Sequence, residues 1–171
     1  MRSLVDHLAN YAAYHRDQRN IVTHFIGIPA IVLAIAVLLS RPGLALGALW
    51  ISPALLLALA ATIFYLRLHR PLGVLMGALL LLCVWLGQVL AQGSTTLWLG
   101  SGIALFVIGW IIQFIGHYYE GRKPAFLDDL SGLIVGPLFV VVELAFMLGM
   151  LGTLRDAIET RLAATPGAHS A

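Results

Sequence analysis

Long apolar stretches alternate with short segments that carry the charged residues along most of this chain. A transmembrane helix needs about 20 mainly apolar residues, and a charge at the bilayer centre costs about 2.5–3.5 kcal/mol on insertion scales. The nearly charge-free intervals therefore predict the membrane segments. They indicate about five transmembrane helices, or four if one segment is re-entrant, over residues 21–40, 43–66, 72–91, 97–116 and 130–151, followed by a frayed tail over 160–171.

The composition excludes most other classes of protein. Hydrophobic residues make up 60% of the 171 positions and charged residues 11%, whereas a soluble domain carries about 25% charged residues. Disordered chains, coiled coils and nucleic-acid-binding proteins also need more charge or polarity than this chain provides. The predicted fold class is therefore an all-α, polytopic membrane helix bundle that forms one domain, contacts the lipid bilayer and binds no nucleic acid.

The distribution of cations predicts the orientation in the membrane. With five crossings, the N-terminus and the loops at 67–71 and 117–129 lie on one side. Seven of the ten Lys and Arg residues fall on that side, and the remaining three, Arg41, Arg155 and Arg161, fall on the other. The positive-inside rule then places the N-terminus in the cytoplasm, which for a bacterial chain is the inner face of the cell inner membrane.

Four histidines share the predicted cytoplasmic ends of the helices: His15, His24, His69 and His117. Such one-sided clustering indicates a metal site, and the alternative is the general preference of histidine for membrane interfaces. His15 and His24 are nine residues apart, which places them on opposite faces of one continuous helix. They can share an ion only if the chain turns between them. The polar run at 16–19 offers that turn, with Asn20 as the predicted N-cap of the first span.

A second group of polar residues lies at the end of the fourth predicted span. Gln113, His117 and Glu120 follow i, i+4, i+7 spacing and therefore share one helical face. Imidazoles with a nearby carboxylate suit iron, zinc or copper rather than magnesium or calcium. The alternatives are an ion pair between Glu120 and Arg122 and a helix-capping role for Asp128.

Glu143 is the one formal charge inside the predicted fifth span. An ionisable residue at this depth is a functional candidate by default. It lies 12 residues beyond Ser131, or about 18 Å along a helix, which separates it from the layer of histidines. The sequence therefore favours a hydrogen-bonded contact between helices, with Gln88 as the candidate partner, over a role in metal binding.

Two stretches resemble the signatures of a known membrane family: HRDQRNIVTHFIGIP at 15–29 and GWIIQFIGHYYEGRKPAFLDDLSGLIVGPLFVVVE at 109–143. Fungal members of that family are 2-hydroxy fatty acid dioxygenases of α-oxidation, and the resemblance extends from about Tyr11 to Leu151. It implies a mononuclear, non-haem Fe2+ centre, with His15, His24 and His117 as ligands and catalytic residues. The remaining candidates for a fourth ligand or an outer partner are His69, which lies outside the family motif, Glu120, Gln113, Asn20 and Asp128.

The implied reaction converts a 2-hydroxy fatty acid and dioxygen into the acid one carbon shorter, carbon dioxide and water. The substrate loses four electrons and dioxygen accepts all four, so no flavin, haem or nicotinamide is required. In the hypothesised mechanism, the carboxylate and the 2-hydroxyl of the substrate chelate iron(II) and leave a position for dioxygen. Arg122 and Lys123 are candidates for attracting the carboxylate, and the alternative is that they anchor the cytoplasmic loop.

Two other functions stay open at the level of the sequence. One is a non-enzymatic small transporter or membrane scaffold whose histidines bind a metal. The other is a haem-binding membrane protein, because two histidines on facing helices can ligate haem axially.

Overall fold

Helices make up most of the described chain, with one short β-hairpin. The computed structural model describes residues 2–47, 49–121 and 131–164. Its elements in chain order are α1 (Leu4–Ala12), α2 (Gln18–Ser40), β1 (Leu44–Leu46), β2 (Leu49–Ile51), α3 (Pro53–Leu68), α4 (Arg70–Ala91), α5 (Thr95–Glu120), α6 (Ser131–Met147) and α7 (Gly152–Ala163). The predicted all-α fold class is confirmed.

Three helices of the described chain, α2, α4 and α5, are long and apolar enough to cross a membrane. A fourth crossing would need α6 and α7 together, which are bent by 117° at the break between them. Helix α3 is apolar but has 16 residues, or about 24 Å of helix, which is less than the hydrocarbon core of about 30 Å. Several long apolar helices thus indicate a membrane protein, and the number of crossings stays a prediction.

The predicted span at 43–66 begins in the wrong place. Its first residues form the antiparallel hairpin of β1 and β2, in which Gly47 supplies the turn at a φ of 60°. Helix α3 begins only at Pro53, where the missing N–H removes no helical hydrogen bond. The Ser52 hydroxyl caps this helix by accepting from the Leu55 amide at 3.3 Å. Hydropathy alone did not reveal this boundary, because Leu, Ile and Trp are equally apolar in a strand and in a helix.

The chain divides into two compact units. The terminal unit contains residues 1–25 and 113–171, and the central unit contains residues 26–112. In the central unit, α3 packs along α4 around the small residues Ala54 and Ala58. The terminal unit contains every histidine that the family resemblance implies as a ligand.

Helix α6 supplies the buried core of the terminal unit. Its buried residues are Val135, Gly136, Leu138, Phe139, Val140, Val142 and Ala145. Helix α1 contacts both α6 and α7, and it begins with a capping box formed by Ser3 and Asp6. Asp6 also accepts from the Arg161 guanidinium at 2.9 Å, which joins α1 to α7.

The start of the expected frayed tail at 160–171 is wrong, because α7 continues to Ala163. Residues 165–171 lie outside the described chain. The charge count predicts that Arg161 lies across the membrane from the N-terminus, and no membrane side is assigned by the structure. The ion pair between Arg161 and Asp6 places Arg161 beside α1.

The end of the predicted fifth span, at 130–151, also differs. Helix α6 ends at Met147, and the chain then turns through Gly149 and Leu151, both with positive φ. An apolar run up to residue 151 gave no sign of this turn, since Leu at a φ of 57° is uncommon.

Candidate metal centre

His15 lies in the turn between α1 and α2 and is 3% exposed. Its ring stacks on the Tyr11 ring, with centroids 4.1 Å apart and 5° between planes. Nδ1 lies 2.7 Å from the Tyr11 carbonyl oxygen. Because a carbonyl only accepts, Nδ1 carries the proton and donates, which leaves the lone pair on Nε2 available to a metal.

His24, in the second turn of α2, is oriented by the same type of hydrogen bond. Its Nδ1 donates to the Asn20 carbonyl oxygen at 2.8 Å, again four residues earlier, and the side chain is 1% exposed. This bond also fixes the tautomer and directs the Nε2 lone pair away from its own backbone. Two of the three expected ligands are therefore oriented by local backbone before any metal arrives.

His117 lies in the last turns of α5 and completes a cluster of three imidazoles. The ring centroids of His15 and His24 are 4.4 Å apart, and each lies 5.2 Å from the His117 ring. One ring nitrogen from each residue can be chosen so that all three lie within 4.8 Å of one another. One ion can therefore contact all three side chains after small rotations.

Unpaired polar atoms support a metal at this cluster. Among the described residues, four buried side-chain atoms lack a hydrogen-bond partner: His15 Nε2, His117 Nδ1, Asn20 Oδ1 and Gln113 Oε1. A buried polar atom without a partner costs about 1–3 kcal/mol, so a ligand that pairs with these atoms would stabilise the site. Coordination would satisfy the two imidazole nitrogens, and imidazole donors suit iron, zinc or copper. The residues present therefore fit a transition metal.

The electrostatics of the terminal unit keep His15 neutral. Burial lowers the pKa of His15 to about 4, and the nearby His117 acts in the same direction, while the hydrogen bond to the Tyr11 carbonyl partly opposes them. A metal binds the neutral imidazole, so no proton has to leave His15 at pH 7. Burial also raises the pKa of Tyr11, which keeps its hydroxyl protonated.

Glu120 lies outside the histidine cluster and joins α5 to the turn that contains His15. Its carboxylate accepts from the backbone amides of Arg16 and Asp17, each at 2.9 Å. It also accepts from the Asn20 side-chain amide at 3.0 Å. Through these donors, Glu120 joins the C-terminal end of α5 to the turn that contains His15.

Asn20 does not have the predicted N-cap role. Helix α2 begins at Gln18, two residues earlier, and the Asp17 carboxylate accepts from the Arg19 amide at 2.8 Å at this helix start. Asn20 instead joins two parts of the site, since its side chain binds Glu120 and its carbonyl binds His24. The prediction failed because Asp17 is an equally good capping residue and precedes Asn20.

Comparison with known proteins assigns the chain to a family. Residues 1–148 match the family described as 2-hydroxy-palmitic acid dioxygenase Mpo1-like. The chain belongs to this family. It is 35% identical over 154 residues to the 2-hydroxy-palmitic acid dioxygenase MPO1 of Saccharomyces cerevisiae, an alignment that covers 89% of this chain and 85% of the yeast protein. No solved structure matches the chain.

Several other predicted site residues of this Mpo1-like family member lie outside the cluster. His69 caps α4 in the central unit, where its Nδ1 accepts from the Leu72 amide at 3.3 Å. Glu143 is half-buried on α6 and is not part of the histidine group. Gln113 is buried one turn before His117, as its spacing predicts. The remaining predicted residues, Arg122, Lys123 and Asp128, lie outside the described part of the chain.

Two aromatic residues of the site were missed by the sequence analysis of this family member. Tyr11 stacks on His15, and the Phe139 ring lies 4.8 Å from Tyr11 and 5.7 Å from His15. A signal for Tyr11 existed, because Leu4, Leu8 and Tyr11 are spaced as one helical face behind a capping box. Phe139 gave no signal, since it is one of many apolar residues in α6.

Proposed function

We propose that this chain is an iron(II)-dependent dioxygenase that converts 2-hydroxy fatty acids into fatty acids one carbon shorter, with release of carbon dioxide. Membership of the Mpo1-like family and the name of the yeast relative support the class of reaction. The observation that carries the proposal for this chain is the buried cluster of His15, His24 and His117. We also propose that the site lies at the cytoplasmic side of the membrane.

His15, His24 and His117 would hold the iron, which when bound would supply positions for the 2-hydroxy acid and for dioxygen. In the overall reaction, the bond between C1 and C2 breaks, C2 becomes a carboxylic acid and C1 leaves as carbon dioxide. Dioxygen takes up the four electrons, and its two oxygen atoms balance the oxygen of the shortened acid, carbon dioxide and water. The balance therefore needs no further reductant.

The residues of the chain prepare and protect this site. The Tyr11 and Asn20 carbonyls orient two of the imidazoles. The ring of Tyr11 and the ring of Phe139 form an apolar wall beside His15. Burial of the three histidines excludes water from their ring nitrogens. Such exclusion of water favours an oxidation, because it limits the escape of reactive oxygen species into solvent.

The test of the function is an assay of the product. Protein purified in detergent, loaded anaerobically with ferrous iron, is mixed with air and 2-hydroxypalmitate, and the fatty acids are separated by mass spectrometry. We expect the acid with one carbon fewer, together with carbon dioxide released from the labelled carboxyl group. Palmitate is the matched control substrate, because it lacks the 2-hydroxyl. Equal turnover of both acids, or none of the hydroxy acid, would contradict the proposal.

A further inference from the structure

Gln113 has a buried oxygen for which the metal gives no explanation. The residue is 6% exposed, and its Oε1 has no hydrogen-bond partner among the described residues. Metal binding would satisfy His15 Nε2 and His117 Nδ1. An amide oxygen one turn away from His117 needs a donor instead.

The helix geometry places Gln113 beside the cluster. Gln113 and His117 are four residues apart on α5, so their Cβ atoms are about 5–6 Å apart on one face. Other members of this face contact α2, because a Cβ on Gly116 would lie 2.5 Å from Asn20 Oδ1, and Glu120 accepts from Asn20. Gln113 and His117 therefore lie on the face of α5 that packs against α2.

Among the described residues, the donors nearest to this face of α5 are already used. Thr23, the α2 hydroxyl that faces Gly116, already donates to the Asn20 carbonyl at 2.7 Å. The Nδ1 protons of His15 and His24 are also taken by carbonyls. A ligand hydroxyl in this part of the site could therefore donate a hydrogen bond to the buried Oε1 of Gln113.

We propose that Gln113 recognises the 2-hydroxyl of the fatty acid by accepting its hydrogen bond, which makes Gln113 a specificity-determining residue. The inference rests on the proposed function and deepens it. At neutral pH the substrate carboxylate has no proton to donate and the alkyl chain has none either, so the 2-hydroxyl is the one substrate group that can satisfy Oε1. An unsubstituted fatty acid would leave the oxygen unpaired and would bind roughly 5- to 100-fold more weakly.

Ligand binding without turnover tests this role. The full chain in nanodiscs is treated with a chelator, and the dissociation constants of radiolabelled 2-hydroxypalmitate and palmitate are measured. In the wild type we expect the hydroxy acid to bind more tightly. Gln113→Met keeps the length of the side chain and removes the acceptor, so the ratio of the two constants should fall towards one while palmitate binding is retained. Retained palmitate binding also shows that the variant is folded.

Gln88→Met is the matched control, because it makes the same replacement at a glutamine of α4 in the central unit. This variant should keep the wild-type ratio. An unchanged ratio in Gln113→Met would overturn the inference and leave the proposed function intact. A ratio near one in the wild type would show that Gln113 pairs with water only, and would also overturn it. Failure of the proposed function is recognised separately, by the absence of the shortened acid in the iron-loaded wild type.

Discussion

The imidazoles of His15 and His24 are each oriented by the carbonyl four residues before them. This interaction is local, so it follows from sequence spacing once the two histidines are known to be ligands. The contact of Glu120 with the backbone of Arg16 and Asp17 is different, because it joins residues more than 100 positions apart. No local pattern predicts such a contact, and from sequence alone Glu120 was a candidate metal ligand, outer partner of a ligand, or ion-pair partner of Arg122.

At this scale the first prediction concerns metal retention. Alanine at His15, His24 or His117 removes one of three metal bonds, so the purified variants should contain almost no iron. Glu120→Gln keeps the shape but weakens the bonds to the turn at His15, and we expect a loss of about 10- to 100-fold in affinity, as for other outer partners of metal ligands. Metal content is measured by inductively coupled plasma mass spectrometry.

His69→Ala is the control for these variants, because His69 caps α4 and is not in the cluster. It should retain iron at the wild-type level. Full iron occupancy in His24→Ala or His117→Ala would contradict the proposed metal site. Complete loss of iron in His69→Ala would assign His69 a role in metal binding that the structure does not give it.

A second prediction at the residue scale concerns pH. The pKa of His15 is lowered by burial from 6.5 to about 4 in the folded protein, so the unfolded chain binds a proton at higher pH than the folded chain does. Stability of the metal-free protein should therefore be highest above pH 6.5 and should fall as the pH drops from there towards 4. Thermal unfolding in detergent, followed by Trp fluorescence, measures this slope.

His15→Phe provides the comparison, because it keeps a ring against Tyr11 and removes the titrating group. Its unfolding midpoint should depend less steeply on pH than that of the wild type over the same range. A steeper or identical slope would show that His15 is not the group that titrates.

At the level of elements, the local sequence predicts some turns and helix ends and misses the shortest helices and strands. A turn at 16–19 was expected from the spacing of His15 and His24, and the non-helical segment lies at 13–17, so residues 18 and 19 already belong to α2. The shared face of Gln113, His117 and Glu120 predicted a helix that continues to residue 120, and α5 ends there, with Gly121 at a φ of 67° just beyond it. Helix α1 and the β-hairpin were not predicted, because a helix of nine residues and strands of three residues are too short to appear as long apolar runs.

Close packing of α5 on α2 gives a prediction at this scale. A Cβ at Gly116 would overlap the Thr23 hydroxyl and approach Asn20 Oδ1 to 2.5 Å. Gly116→Ala should therefore separate the two helices, at a cost of about 1–3 kcal/mol, and should weaken iron binding because His24 and His117 lie on those helices. The unfolding midpoint and the metal content of the variant check both effects.

Gly100→Ala is the matched control on the same helix, because a Cβ there meets no atom within 4 Å. Alanine is the better helix former by about 1 kcal/mol, so this variant should be as stable as the wild type or more stable. Equal behaviour of the two alanine variants would contradict the close contact at Gly116.

At the scale of the whole molecule, the many buried residues of α6 bear on whether the C-terminal third of the chain contains a membrane span. A helix that crosses a membrane alone exposes most of its surface to lipid, whereas α6 buries many of its side chains inside the terminal unit. Its apolar composition predicts a fifth span, which stays a prediction because a core helix and a membrane helix share that composition. The ion pair between Asp6 and Arg161 adds Arg161 to the cations on the N-terminal side, which strengthens the predicted orientation.

Reporter fusions test this arrangement in cells. Fusions after Arg70 and after Lys123 should report the cytoplasm, and a fusion after Ser94 should report the opposite side. A fusion at the C-terminus should agree with one at the N-terminus, because α7 pairs with α1. Opposite locations for the two termini would mean that α6 crosses the membrane and that the ion pair does not form.

The bonds from Glu120 to Arg16 and Asp17 also set an order of events during synthesis. These partners are separated by 103 and 104 positions, so at about 5–20 residues per second the ribosome completes the second roughly 5–20 s after the first. During that interval the nascent chain holds His15 and His24 without His117. The proposed metal site would be complete only after the end of α5 has emerged and docked, and a chain truncated before His117 would lack one of its three imidazoles.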